Sequence, residues 1–200
     1  MLSWCILPLP PPVTHLSSMV PLPPAVLPNH DAVRRALLRE DNTYGVAHSH
    51  VVWVQAGTGA TLYVGSSAAA FDMAFLRRRK ILRIVNCTGN IPNFYEGQSD
   101  LLYYRFNVSR YRSRLDEHTT DDFMDMLHFV TDGLRGATAV LVHCRAGRHR
   151  AGAVAHACVM WIGAKTMQEA NEHLRRHRPQ IELTHDFLPL MAYLESRLGQ

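Results

Sequence analysis

Cys144 and Arg150 stand six positions apart in the run VLVHCRAGRHRAGAVA, between an apolar, β-branched stretch and a stretch of small residues. A strand that ends in Cys144 and turns through residues 145–149 into a helix puts a thiol at the positive end of that helix. The backbone amides of Arg145, Ala146, Gly147, Arg148 and His149 then form a cradle for an anion, and Gly147 permits the tight path that a cradle needs. Arg150 can fold over the cradle and offer its planar fork to two phosphate oxygens. The same positive surroundings favour a thiolate. A phosphate-binding loop built around a thiolate is a device for phosphoryl transfer through a cysteinyl-phosphate. The commonest fate of a free cysteine is inert burial. Gly147, Arg150 and the strand-to-helix setting argue against it here.

The elements that must position this loop follow from the hydrophobic pattern. TAVLVH reads as a strand buried on both faces, and ILRIVNC (81–87) as a central strand beside it. HVVWVQ and TLYVG, separated by AGTGA, predict a hairpin. LLYYRFNV predicts a further strand. Ser66 or Ser67 caps a helix reaching about Arg78. Thr119 or Thr120 with Asp122 opens another, with Phe123, Met126, Leu127 and Val130 at helical spacing. Three more helices are predicted at 151–163, at 166–177 and from about Thr184 or His185 to Leu198, with Pro189 in an early turn. Strands alternating with helices predict a single α/β domain with a central, mainly parallel sheet flanked by helices.

The 200 residues suffice for one domain of about this kind. Residues 1–45 read as a proline-rich extension with a short helix over NHDAVRRALLRED, and 46–200 as the catalytic domain. The apolar start lacks early Lys or Arg and is interrupted by proline, unlike a leader peptide, and no integral membrane segment is expected. The net charge of +4 favours anionic partners mildly, and nucleic acid is not among those expected. Four cysteines without CxxC spacing argue against a disulfide scaffold or a zinc site and for a reducing, cytoplasmic setting. His173 and His177 share a helix face, but with no third ligand in view no metal and no cofactor are expected.

The signature His143-Cys144-x5-Arg150 resembles the active-site motif of the protein tyrosine phosphatase superfamily, and the flanks resemble its dual-specificity branch. TLYVGSSAAA, ILRIVNCTGNIPNFYEG, TMQEANEHLRRHRPQI and HDFLPLMAYLESRL carry that similarity over about residues 46–198. The resemblance implies a protein tyrosine phosphatase-like fold and hydrolysis of phosphotyrosine and phosphoserine or phosphothreonine in a phosphoprotein substrate. Cys144 would be the nucleophile and Arg150 the transition-state ligand, with residues 145–149 as the cradle. His143 would act on the thiolate by hydrogen bonding, Asn86 would brace the loop, and Cys87 could form a reversible disulfide with Cys144.

Two departures matter. The branch usually has Ser or Thr after the arginine, to help the thiolate leave the phosphoenzyme; here Ala151 predicts slow breakdown of that intermediate. The general-acid Asp should fall near Ser109 or Arg110, and the nearest downstream carboxylate is Asp116, beside Glu117. General acid catalysis contributes about 10²–10⁴-fold, so Asp116 is the expected donor if the loop lets it reach. Arg110, Arg112 and Arg114 make that loop basic, and Arg145, Arg148 and His149 do the same for the signature. Two other readings follow. CRAGRHRAG is similar to signatures of phosphoinositide 3-phosphatases and inositol pyrophosphate phosphatases, and Ala151 with a missing Asp would suit a phosphate-binding pseudophosphatase.

Overall fold

The computed structural model describes residues 48–198. The proline-rich stretch and the helix expected over NHDAVRRALLRED lie outside them.

Strands β1 (Ser49–Val54) and β2 (Thr61–Gly65) form the expected antiparallel hairpin. β3 (Ile81–Asn86), β4 (Leu102–Arg105) and β5 (Ala139–His143) complete a five-stranded sheet of order β1-β2-β5-β3-β4. Every pairing except β1–β2 is parallel. β5 is the middle strand, and all of its residues are buried, because helices cover both faces.

The period-2 alternation of side chains divides the core. Val140 and Val142 on β5, with Leu62, Val64 and Val85, face one layer of helices. This layer comprises α3 (Glu117–Arg135), α4 (Arg150–Gly163), α5 (Met167–His177) and α6 (Leu188–Leu198). Leu141, Tyr63 and Ile84 face the opposite way, onto α1 (Ser67–Phe71), α2 (Met73–Arg78) and the Phe94–Tyr95 segment.

The helix expected from Ser66 to Arg78 is two helices. Ser66 caps the first, and the Asp72 carboxylate then accepts from the amide of Phe75, which ends one helix and starts the next. α3 begins at Glu117, two residues before the expected Thr119, because Asp116 caps it. Asp121 and Asp122 therefore lie beyond its first residues, and Asp122 accepts instead from the Tyr111 hydroxyl at 2.8 Å. Thr166 and Glu169 form a capping box at the start of α5. Pro189 falls in the first turn of α6, where a missing amide costs no helical bond.

Four histidines are packed into this framework. Burial lowers His50, His156 and His173, and pushes the fully buried His143 down to about 4. An unfolded chain takes up these protons near the ordinary histidine value, while the folded protein resists them. Their neutral forms therefore support the fold fully above about pH 6.5. That support is lost as the pH falls toward 4. His143 alone is expected to cost on the order of 3 kcal/mol across that window, and melting temperatures measured from pH 8 to 4 should drop progressively below 6.5. A flat profile would show that these rings ionise freely in the fold.

Candidate active site

Cys144 follows the last residue of β5, is 2% exposed and leads through residues 145–149 to Arg150, the first residue of α4. Its setting is built from the neighbouring strand ends. Asn86 on β3 pairs with His143 in register, and the amide of Cys87 donates to the His143 carbonyl at 2.8 Å. The two cysteines therefore lie side by side, at the end of the parallel strands where ligands of α/β sheets bind.

The loop carbonyls are tied to the body of the protein. Arg145 O accepts from the amide and hydroxyl of Ser67 at 3.0 and 3.2 Å. Gly147 O accepts from Arg178 Nε at 2.9 Å, and Ala146 O from Arg178 Nη2 at 3.4 Å. In a trans peptide the carbonyl and the following N–H point in opposite directions, and no cis bond occurs among the described residues. The amides of Ala146, Gly147 and Arg148 therefore point away from the Ser67–Arg178 side. Gly147 adopts φ +64, and a Cβ there would stand 2.6 Å from the Gly65 carbonyl, so the position excludes any side chain.

Arg178 was not legible as a functional residue. It caps the C-terminus of α5 and ranks among the largest fully buried side chains, at 1% exposed. Besides the two loop carbonyls it donates through Nη1 to Nδ1 of His50 at 2.6 Å. The Gln180 amide, with its oxygen turned to the guanidinium, accepts from Nη1 at 2.9 Å. Since Arg has no acceptor, His50 must present an unprotonated Nδ1. Burial and then the charge of Arg178 both lower His50, which keeps it in that form.

Asn86 braces a different segment from the expected one. Its fully buried amide donates to Ile91 O and Asn93 Oδ1 and accepts from the amide and hydroxyl of Thr88, fixing the turn after β3 rather than residues 145–149. Neither ring nitrogen of His143 has a hydrogen-bond partner, in contrast to the hydrogen-bonding role expected of it. Burial, and secondarily the charge of Arg105, hold the ring neutral, while the Cys144 backbone acts the other way without reaching hydrogen-bond geometry. The Cys87 thiol is fully buried; burial, and then Cys144 and Cys158, push it well up, while Arg150 opposes them. Cys87 and Cys144 are both free thiols. Ala151 is fully buried in the main core.

Asp116 is placed as a cap. One carboxylate oxygen accepts from the amide and hydroxyl of Thr119, both at 2.9 Å, and the other from Arg114 Nε at 2.9 Å. The bond from Arg114 and then that from the Thr119 amide lower its carboxyl to about 2. A general acid must carry a proton, and this carboxylate is held in the opposite state. The basic residues are largely partnered as well. Arg112 pairs with Asp186 at 2.9 Å and lies over the Phe187 ring, while Arg148 and His149 both meet Glu182. His173, weighed as a metal ligand, bonds through Nε2 to the Val52 carbonyl at 2.7 Å. Among the described residues no helix is long and apolar enough to cross a membrane.

A parallel-centred α/β sheet with a cysteine loop opening onto a helix is the architecture of the cysteine-dependent phosphatases. Residues 62–196 match the family model described as dual specificity phosphatase, catalytic domain, and the chain belongs to that family. Dual specificity protein phosphatase 9 of Homo sapiens is 28% identical over 137 residues, 68% of this chain and 35% of that protein. Dual specificity protein phosphatase Mpk3 of Drosophila melanogaster is 25% identical over 138 residues, 68% of this chain and 33% of that protein. The chain thus spans about a third of the length of these curated relatives. The crystal structure of human DUSP28 superposes with a TM-score of 0.61 at 21% identity, covering 78% of this chain and 97% of that one.

Replacing Arg178 with Met would leave the Gly147 carbonyl buried without its donor, a change that costs about 1–3 kcal/mol. Urea unfolding of Arg178→Met should show a loss of at least that size. Unchanged stability would mean that the loop holds its shape without the guanidinium.

Proposed function

We propose that the chain is a cysteine-dependent protein phosphatase acting on phosphotyrosine and on phosphoserine or phosphothreonine. The observation that carries this reading is the loop itself. Its carbonyls are fixed to Ser67 and Arg178, so that the amides of Ala146, Gly147 and Arg148 point away from them, in the loop between Cys144 and Arg150. Preorganised amides and a guanidinium stabilise the charge that develops on the non-bridging oxygens, and need no reorganisation as it develops.

In the first step the Cys144 thiolate sulfur forms a bond to phosphorus as the bond to the substrate oxygen breaks, and the leaving alkoxide or phenolate takes its proton from water. In the second, water attacks phosphorus, phosphate departs, and the sulfur regains its electron pair as a thiolate. Ala151 offers no hydroxyl to assist that second departure, which makes breakdown of the cysteinyl-phosphate the slow step. With Asp116 ionised in its cap, the leaving group obtains little help with its proton. Phenolates, the better leaving groups, are then favoured over alkoxides, and phosphotyrosine over phosphoserine. The pairing of Arg112, Arg148 and His149 with acidic residues supports a phosphoprotein substrate over an inositide.

Phosphate release from a phosphotyrosine peptide between pH 5 and 8 tests this reading. It should be measurable for the wild type and fall to background in Cys144→Ser. Binding of the peptide without release would make the protein a phosphate reader instead. Asp116→Asn separates cap from acid, because Asn caps helices as well as Asp does. The variant should keep most of the wild-type rate, whereas a loss of about 10²–10⁴-fold would identify Asp116 as the proton donor.

A further inference from the structure

Two of the basic residues in the loop beside Cys144 turn toward one oxygen of one carboxylate. Arg148 Nη2 lies 2.9 Å from Glu182 Oε2, and His149 Nε2 lies 3.1 Å from the same atom. Glu182 sits in the connection between α5 and α6, and its side chain is 54% exposed. The bond from His149, and then Arg148, keep its carboxyl below the usual range, so it meets them as an anion. Arg148 Nε, on the same edge of the guanidinium as Nη2, is buried and has no hydrogen-bond partner. A basic pair in the loop beside Cys144, converging on one anionic oxygen, is the arrangement that a second phosphate would find.

We propose that Arg148 and His149 form a second anion subsite beside the phosphate loop, occupied by the chain's own Glu182, and that Glu182 thereby selects against substrates carrying a second phosphate next to the one removed. The proposal rests on the reading that the loop around Cys144 binds the substrate phosphate. A singly phosphorylated substrate leaves the Glu182 contacts in place. A multiply phosphorylated one must displace the carboxylate before its second phosphate reaches Arg148 and His149, and it meets the repulsion of that carboxylate on the way. Discrimination of this kind works by building a competitor against the wrong ligand as well as contacts for the right one. Glu182 is therefore a specificity-determining residue that touches neither Cys144 nor Arg150 in any contact described above.

The test compares Glu182→Gln with the wild type on two peptides, one bearing a single phosphotyrosine and one bearing the same phosphotyrosine beside a phosphothreonine. The ratio of kcat/KM for the doubly to the singly phosphorylated peptide should rise about tenfold, the usual effect of 1.4 kcal/mol, and adding Arg148→Gln should abolish the rise. A change that is equal for both peptides, or a gain that persists without Arg148, overturns the proposal. Binding of inorganic tripolyphosphate to the Cys144→Ser protein, with and without Glu182→Gln, tests the subsite where no turnover is needed. Tighter binding in the Glu182→Gln form is expected, and equal binding overturns the subsite even if the enzyme is active. If instead the wild type releases no phosphate while the Glu182→Gln form binds tripolyphosphate more tightly, the phosphatase reading fails and the subsite stands. Circular dichroism melting of both forms verifies that the exposed substitution leaves the fold intact.

Discussion

A guanidinium buried at 1% exposure is an expensive object, since removal of a charge from water costs several kcal/mol unless hydrogen bonds replace the lost hydration. Arg178 meets that requirement with the carbonyls of Gly147 and Ala146, the His50 ring and the Gln180 amide. Arginine cannot escape by deprotonation, so these acceptors must stay where they are. The demand of a buried cation for oxygen lone pairs thus becomes a constraint on backbone direction. The carbonyls that satisfy Arg178 are those that must face away from the cradle if the loop amides are to face into it. Ser67 applies the same constraint one residue earlier, through Arg145. At Gly147 the loop passes close against the end of β2, and its lack of a side chain lets it do so.

The same connection between α5 and α6 sets the electrostatics of the surroundings. Arg178 opens it, Glu182 takes Arg148 and His149, and Asp186 takes Arg112, while Thr184 also bonds Asp186. One short segment therefore holds the backbone of the loop after Cys144, its basic side chains and the segment after β4. Counting arginines along the chain gives a strongly positive site; their partners make it a more nearly neutral one.

Much of the architecture was legible in the sequence because its signals are local. The buried run of β5, the hairpin of β1 and β2, and the two helices that follow the signature were placed within a residue or two. Cys144 and Arg150 fall between the strand and the helix that the pattern predicts. What the sequence hid depends on side chains choosing among several partners. Ser66 signals the start of a helix, but Asp72 is an equally good cap, and the structure uses both. Asp116 stands near the expected place of a proton donor, and its bonds to Thr119 and Arg114 make it a helix cap. Asn86 ends its strand between two loops, and its amide bonds the turn after β3. Arg178 and Glu182 were missed because the contacts that define them join the loop across more than thirty residues of chain, and RHRPQIE carries no local pattern that announces them.

His50 and Arg178 are 128 residues apart in the chain. Contacts of such separation are the slow ones in folding, and synthesis delivers the N-terminal partner long before the other. Cys144 and its loop are synthesised before the guanidinium that holds the loop carbonyls. The cradle is therefore not a module that forms where its motif is written. Its shape requires the end of α5 to lie against the first strand, so the loop after Cys144 has its full set of bonds only when both ends of the domain are in place.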